Sequence, residues 1–211
     1  MIFSQPATSC LGIDMDREQY RWLKGYVPTA DKTVLLGYHY DNLTQALEEF
    51  RHSTQHTVSH HDSLLYRQQG PLRECSTLYI KQQKTPATWL PPLTGMDNIA
   101  KLFLDLKAKI DPHNQRLIGR VYCTSLAHGK QIYAHSDTND TTGDYWDHIE
   151  RFQYYFTGTD NMIQLIAGQI YPVAPGMIYN FDFRQIHSYE NHDTADLVLL
   201  VFDLYKCDFL I

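Results

Sequence analysis

The second half of the chain is a succession of short β-rich segments separated by turn residues. From Gln115 onward, about eight runs rich in β-branched and aromatic residues alternate with turn signals such as Gly129, Gly158 and Pro175-Gly176. The predicted strands are 116–125, 130–137, 148–157, 162–166, 169–173, 177–182, 186–190 and 195–205. Many short strands at this spacing are typical of an all-β sandwich or barrel. A jelly roll has this number of strands, and it lets two strands that are distant in sequence meet at one mouth.

The first half of the chain combines predicted helices with predicted strands. Asp97 is predicted to cap a helix, because apolar residues follow it at helical spacing until Asp111-Pro112 ends the pattern. A second helix is predicted over 45–50, with Thr44 as its N-cap. The other elements predicted in this half are a short helix over 14–24 and strands over 34–40 and 76–81.

These patterns predict a mainly β protein with flanking helices. We expect residues 1–112 to form a mixed, partly helical segment that braces the core and shapes its pocket. Residues 113–211 would form the β core, and the two parts would make one compact domain.

Composition argues against several classes of function. The 211 residues carry a net charge of −6 and no basic run, so nucleic acid is not an expected partner. The cysteines are scattered without a CxxC pair, which is typical of reduced thiols in a cytosol. No basic, apolar leader opens the sequence, and no stretch approaches the ~20 apolar residues of a membrane span. We therefore expect a cytoplasmic protein that does not bind membranes.

Three residues of the β-rich half form the ligand set of a metal site. His135 and Asp137 are two residues apart in a predicted strand, so their side chains point to the same face. His187 would reach the same ion from a strand that returns beside them. Two imidazoles and one carboxylate form the facial triad that holds Fe(II) on one side and leaves positions open for substrate and O₂. These residues suggest a non-haem iron oxygenase.

Another group of histidines precedes the β-rich half. His52, His56 and His60 are spaced four residues apart, and His61-Asp62 follow them. On a helix this spacing could form a metal site. The intervening threonine, valine and serine residues are poor helix formers, so we interpret the group as a polar surface loop.

Four segments of the β-rich half resemble one known family. Residues 125–137, SLAHGKQIYAHSD, resemble the L-x-x-G-x-x-I-x-x-H-x-D signature of the aspartyl/asparaginyl β-hydroxylase-like branch of the 2-oxoglutarate oxygenases. Residues 175–182, PGMIYNFD, resemble its P-G-x-x-x-x-F-D turn and strand, and residues 187–191, HSYEN, resemble its H-S-V-x-N segment. Residues 201–203 resemble its terminal strand. The likeness covers about residues 116–205, with the four segments in the family's order.

The resemblance implies a double-stranded β-helix in which His135, Asp137 and His187 bind Fe(II), with 2-oxoglutarate as co-substrate. The implied reaction is activation of O₂, loss of CO₂ to give succinate, and hydroxylation of an unactivated C–H bond of an amino acid or peptidyl side chain. The iron carries the oxidative chemistry, and the protein supplies ligands, orientation and a dry pocket. Related halogenases lack the acidic ligand, so the presence of Asp137 favours hydroxylation.

One departure from the family concerns the co-substrate. The family usually has a basic residue about ten positions after the distal histidine, where it pairs with a carboxylate of 2-oxoglutarate, whereas residues 194–198 here are TADLV. A dicarboxylate still needs a cation, and arginine offers a bidentate fork. Arg151 is the predicted substitute, because the family also has a functional arginine on the matching strand. The further candidate cofactor-binding residues are Gln153, which shares a face with Arg151, Tyr133, Arg184 and Arg120.

Three other residues have two interpretations each. Tyr145 and Trp146, in the predicted loop after the first two ligands, would form a substrate lid or pack as ordinary aromatics. Asn191 would hold a turn or support a metal ligand indirectly.

Two other classes of function are consistent with the same residues. A cupin-type metal dioxygenase or isomerase would use the three ligands without 2-oxoglutarate, and succinate formation distinguishes it from the oxygenase. The missing basic residue supports a third interpretation, a non-catalytic β-barrel that keeps the metal site; absence of 2-oxoglutarate turnover with any substrate would favour it. A nucleic-acid demethylase of the same superfamily is disfavoured, because the chain is acidic and lacks the downstream arginine pair of those enzymes.

Overall fold

Ten strands and three helices make up the described part of the chain, which covers residues 33–53, 72–82, 84–90, 95–137 and 145–207 of the computed structural model. The strands are β1 (Val34–Tyr38), β2 (Cys75–Lys81), β3 (Ile118–Leu126), β4 (Gln131–His135), β5 (Ile149–Tyr155), β6 (Met162–Ile166), β7 (Gln169–Tyr171), β8 (Met177–Asn180), β9 (His187–Asn191) and β10 (Leu197–Tyr205). The helices are α1 (Leu43–His52), α2 (Asp97–Ile110) and α3 (Tyr145–His148).

The strands form two antiparallel sheets. The larger sheet has the order β1-β8-β5-β10-β3-β2, and the smaller sheet has the order β4-β9-β6-β7. From β3 to β10 the chain passes back and forth between the sheets, so β4 lies beside β9 and β5 beside β10 although each pair is distant in sequence. This order is that of a jelly roll, and the predicted double-stranded β-helix with flanking helices is confirmed.

Strand β10 lies at the centre of the larger sheet and is buried on both faces. It pairs with β3 on one side and with β5 on the other. Val198 and Leu200 pack in the cluster that contains the helices, whereas Leu199 and Val201 pack in the cluster between the sheets. A strand that is covered on both faces has a continuous apolar run rather than an alternating pattern, and this is why residues 197–205 are almost wholly apolar.

Helices α1 and α2 pack against the outer face of the larger sheet. Their buried apolar side chains form one cluster with the strands, and those side chains are Ala46, Phe50, Ile99, Leu102, Phe103 and Leu106. The carboxylate of Glu49 in α1 accepts hydrogen bonds from the backbone N–H groups of Asn98, at 3.1 Å, and Ile99, at 2.7 Å. Two of the first-turn donors of α2 are therefore satisfied by the neighbouring helix.

The predicted helix starts were wrong by one or two residues. Asp97 is the first residue of α2 and not its N-cap; the cap position holds Met96, because Glu49 supplies the acceptor that a capping side chain would provide. Asn42, and not Thr44, precedes α1, and its side-chain amide donates to Asp105 of α2. The helix predicted over 14–24 lies outside the described residues.

Two strands from the predicted N-terminal segment join the larger sheet as its edges. β1 pairs with β8, and β2 pairs with β3. The core expected over 113–211 is thus extended at both edges by strands that precede residue 113, and the division into 1–112 and 113–211 stays a prediction. None of the described helices is long and apolar enough to cross a membrane.

Candidate metal centre

The three predicted ligands lie together at one end of β4 and β9. His135 is the last residue of β4 and His187 is the first of β9, and the antiparallel register places them opposite each other, with ring centroids 4.2 Å apart. Asp137 follows two residues later, and its Oδ1 lies 3.5 Å from His135 Nε2. One ligand atom from each residue lies within 4.8 Å of the other two. The structure therefore brings the three side chains into one cluster.

Each of the two histidines is oriented by the backbone carbonyl group of the residue two positions before it. The Nδ1 of His135 lies 2.7 Å from the carbonyl oxygen of Tyr133, and the Nδ1 of His187 lies 2.9 Å from the carbonyl oxygen of Gln185. A carbonyl oxygen only accepts hydrogen bonds, so each Nδ1 must be the protonated nitrogen. The Nε2 lone pairs remain available for a ligand, which is the tautomer that a metal site needs.

Burial and neighbouring charges set the protonation state of the cluster. Burial, with a smaller contribution from His135, lowers the pKa of His187 to about 3. Burial likewise lowers the pKa of His135. Burial alone would raise the pKa of Asp137, but Arg151 and then the two histidines outweigh it and lower the value to about 2. At neutral pH the cluster thus offers two neutral imidazoles and one carboxylate.

This donor set fits a divalent transition metal. Two imidazole nitrogens and one carboxylate oxygen, contributed from one side, are the chemistry of a facial Fe(II) triad with open positions. A structural zinc site would need a fourth ligand, and the metal-binding cluster found in the described residues has three members.

Arg151 links the candidate ligand Asp137 to a second, fully buried carboxylate. Its Nη1 donates to Asp137, and its Nε and Nη2 donate to the two oxygens of Asp203 at 2.7 and 3.0 Å. The hydroxyl of Tyr145 donates to the same carboxylate at 2.7 Å. Arg151 therefore lies beside the metal cluster, as a carboxylate anchor must, but both of its partners are carboxylates of the protein itself.

Asp203 is a site residue that the sequence reasoning missed. It is the single acidic residue of β10, and its side chain is completely buried. A buried carboxylate is stable only with a cation and hydrogen-bond donors. A lone aspartate in the run LVLLVFDLY was therefore a signal that an arginine would be found beside it.

Gly119 provides the space for this pairing. A Cβ atom at Gly119 would lie 2.6 Å from the hydroxyl oxygen of Tyr145 and 3.0 Å from the Cβ of Asp203. A side chain here would push Tyr145 away from Asp203, so the close approach requires a glycine.

Gln153 belongs to an uncharged network inside the barrel, two residues further along β5 than Arg151. Its Oε1 accepts hydrogen bonds from the hydroxyl of Tyr189 at 2.6 Å and from that of Tyr155 at 3.2 Å. Gln164 joins through Tyr155, at 2.7 Å, and through Tyr189, at 3.2 Å. All four side chains are buried. The four side chains hydrogen-bond to one another, and none of them is charged.

Tyr133 and Arg184 contact other groups than the three ligands. The ring of Tyr133 lies under the guanidinium of Arg73, with 3.7 Å between the guanidinium carbon and the ring centroid. Its carbonyl oxygen positions His135. Arg184 is 41% exposed and forms a bidentate pair with Asp182, at 2.8 and 3.0 Å. Cofactor-binding roles for Gln153, Tyr133 and Arg184 stay predictions.

The structure gives contacts for the three residues with two interpretations. Tyr145 and Trp146 form part of α3 and are buried against Phe183 and neighbouring residues, as packed aromatics are, and a lid role stays a prediction. Asn191 donates to the carbonyl oxygens of Leu126 and Ala195, and thus holds the turn after β9.

The predicted histidine-rich loop is described only at its start. His52 ends α1, and its Nδ1 contacts the carbonyl oxygen of Glu48 at 2.7 Å. His56, His60 and His61 lie outside the described residues.

Several solved structures share this fold at low sequence identity. A prolyl hydroxylase from Trichoplax adhaerens, in complex with a peptide fragment of hypoxia inducible factor, is 10% identical with a TM-score of 0.57, over 89% of this chain and 90% of its own. An oxidoreductase of the 2OG-Fe(II) oxygenase family from Burkholderia pseudomallei is 12% identical with a TM-score of 0.53, over 89% and 88%. A nickel complex of the non-haem monooxygenase ThoJ is 16% identical with a TM-score of 0.51, over 90% and 76%.

The similarity is visible in the fold and not in the sequence. No protein-family model matches the chain, and no curated protein matches it in sequence. At these identities the three structures show that the chain shares their double-stranded β-helix fold.

Proposed function

We propose that this chain is a 2-oxoglutarate-dependent Fe(II) oxygenase that hydroxylates a C–H bond of an amino acid or peptidyl side chain. The observation that carries the proposal is the cluster of His135, Asp137 and His187, with both Nε2 atoms free to bind a metal. The fold adds support, because the cluster lies on neighbouring strands of a double-stranded β-helix. The prolyl hydroxylase that shares this fold is in complex with a peptide fragment, which is the class of substrate proposed here.

In this proposal the three residues would hold Fe(II) and the remaining residues would position the reactants. A bound iron would supply activation of O₂ and oxidation of the substrate, coupled to decarboxylation of 2-oxoglutarate. Arg151 would keep the carboxylate of Asp137 in a fixed orientation, since the same guanidinium is clamped by Asp203. Buried aromatic side chains, including Trp146 and Phe183, would keep water out of this side of the site.

Metal and co-substrate binding can be tested before a substrate is known. Purified protein would be loaded with Fe(II) without oxygen and titrated with 2-oxoglutarate. We expect one Fe(II) per chain and a weak visible absorption band when 2-oxoglutarate chelates the metal, followed by succinate formation when O₂ is admitted. Asp137→Ala should lose both metal and band. Asp196→Ala, which removes an exposed carboxylate just before β10, is the matched control.

Two outcomes would replace this proposal. If iron binds but 2-oxoglutarate produces neither the band nor succinate, a cupin-type metal dioxygenase or isomerase becomes the better proposal. The uncharged network around Gln153 is the observation that favours that alternative, since it offers no cation for a dicarboxylate. If the protein binds metal and shows no oxidative turnover with any 2-oxo acid, a metal-binding module without catalysis takes its place.

A further inference from the structure

Two arginines are ion-paired with the carboxylate of Asp203, but only one of them is hydrogen-bonded to it. Arg151, on β5, forms the bidentate hydrogen bonds to Asp203 and a further bond to Asp137. Arg120, on β3, has its Nε 3.6 Å from Asp203 Oδ2, which is too long for a hydrogen bond. Both guanidinium groups therefore lie beside Asp203, but only the guanidinium of Arg151 forms hydrogen bonds with it.

The Nε–H of Arg120 is buried and makes no hydrogen bond in the described parts of the chain, although the guanidinium is ion-paired with Asp203. The side chain is only 15% exposed. The guanidinium lies against two aromatic rings, 4.9 Å from the centroid of Trp146 and 5.6 Å from that of Tyr145. Aromatic rings stabilise a cation, but they do not satisfy the Nε–H donor. A mostly buried guanidinium with an unused donor is suited to binding an oxyanion.

A second unused donor belongs to a residue in contact with Arg120. The indole Nε1–H of Trp146 is buried and has no hydrogen-bond partner among the described residues. The ring of Trp146 also contacts the guanidinium of Arg151, at 4.9 Å. Buried N–H groups are normally paired, so two unpaired donors on neighbouring side chains mark this as the part of the site that lacks an acceptor.

The local charge indicates what kind of anion fits. Arg120, Arg151, Asp137 and Asp203 sum to zero, and the ammonium of Lys84, 5.0 Å from the ring centroid of Trp146, adds a positive charge. A bound divalent metal would raise the positive total further. A dianion therefore offsets more of this charge than a monoanion does.

In the described part of the barrel interior, the polar side chains near Arg151 on β5 are uncharged. Gln153, Gln164, Tyr155 and Tyr189 hydrogen-bond to one another. Leu197, near the position where the resembling family usually has a basic residue, is buried in the apolar cluster between the sheets. Arg120, on β3, is therefore a nearby cation that is not hydrogen-bonded to a carboxylate of the described residues.

We propose that Arg120 receives the second carboxylate of a dicarboxylate 2-oxo acid whose first carboxylate binds the metal. The inference rests on the proposed function, because it takes 2-oxoglutarate as the co-substrate. In this arrangement Arg120 of β3 binds the second carboxylate, and Arg151 orients Asp137.

The test compares two ligands that differ only in the second carboxylate. The protein would be loaded with Fe(II) without oxygen, and binding of 2-oxoglutarate and of 2-oxobutanoate would be measured from the visible band and, independently, by calorimetry. We expect the wild type to prefer 2-oxoglutarate by roughly tenfold to a hundredfold, the value of a charge-assisted hydrogen-bonded pair. Arg120→Gln should abolish this preference, and Arg120→Lys should restore part of it. Arg51→Gln, at an exposed position in α1, is the charge-matched control.

Each contrary result has a distinct meaning. If the wild type binds neither 2-oxo acid although it binds Fe(II), the proposed function fails. If the wild type prefers 2-oxoglutarate and Arg120→Gln keeps that preference, only the assignment of Arg120 fails. If Arg151→Gln abolishes the preference while Arg120→Gln does not, the anchor is Arg151. If Arg120→Gln weakens both ligands equally, Arg120 does not contact the second carboxylate.

Discussion

Arg151 and Asp203 face each other in the register of β5 and β10, and the aspartate accepts two hydrogen bonds from the arginine. The third bond of the same guanidinium reaches Asp137. The orientation of a candidate metal ligand therefore depends on a carboxylate that does not belong to the ligand cluster. Residues that orient a metal ligand through hydrogen bonds commonly change the affinity of the site for metal.

Replacing Asp203 with asparagine should weaken both the fold and metal binding. The change removes the charge that compensates Arg151 inside the protein, and breaking a buried ion pair typically costs about 3–5 kcal/mol of the free energy of unfolding. Asp137 would then pair with an arginine that is no longer held, and metal affinity should fall by about tenfold or more. Urea unfolding and metal-binding calorimetry measure the two effects. Asp196→Asn, at an exposed site, should change neither, and unchanged metal affinity in Asp203→Asn would contradict the positioning role.

Gly119→Ala should destabilise the protein through Tyr145. The new Cβ would meet the tyrosine hydroxyl at 2.6 Å, and overpacking of this kind typically costs about 1–3 kcal/mol. Removing that hydroxyl in Tyr145→Phe should relieve much of the clash. The double variant should therefore be more stable than the sum of the two single changes predicts, as measured by thermal unfolding. Additive effects would show that Gly119 is needed for another reason.

Glu49→Gln should weaken the start of α2. The carboxylate accepts hydrogen bonds from two backbone N–H groups of the first turn, and the loss of a charged cap costs about 1 kcal/mol. Glu48→Gln changes an exposed neighbour on the same helix and should have little effect. Urea unfolding of both variants provides the comparison; equal stabilities would remove Glu49 from the capping role.

The metal-free protein should lose stability as the pH falls below about 6.5. The pKa of His187 is about 3 in the folded protein, against an ordinary value of 6.5. Between these values the unfolded chain binds a proton that the folded protein does not, so the free energy of unfolding decreases with decreasing pH. For one such histidine the slope approaches about 1.4 kcal/mol per pH unit. His135, whose pKa is also lowered, acts in the same direction.

Urea unfolding between pH 5 and pH 7.5 measures this slope. His187→Gln removes one of the titrating groups and should make the slope shallower. Equal slopes in the variant and the wild type would show that His187 is protonated to the same extent in the folded and unfolded states.

The ligand cluster could be predicted from the sequence, whereas the network behind it could not. His135 and Asp137 share a strand face by simple periodicity, and the strand pattern predicted the fold that returns His187 to them. The partners of Arg151 depend on the register of β5 against β10, because Asp203 follows Arg151 by 52 residues. The same holds for the start of α2, whose acceptor, Glu49, lies 49 residues before Asn98. Contacts of this kind are fixed by packing and not by local pattern.

The placement of β10 determines how the larger sheet can be assembled. In sequence it is the last of the described strands, yet in space it separates β3-β2 from β5-β8-β1. Until residues 197–205 are in place, β3 and β5 each have an open edge of unpaired backbone groups, and the two halves of the sheet share no ladder. The sheet therefore closes through one long-range step, which makes this a slowly folding topology whose incomplete forms expose edges prone to aggregation.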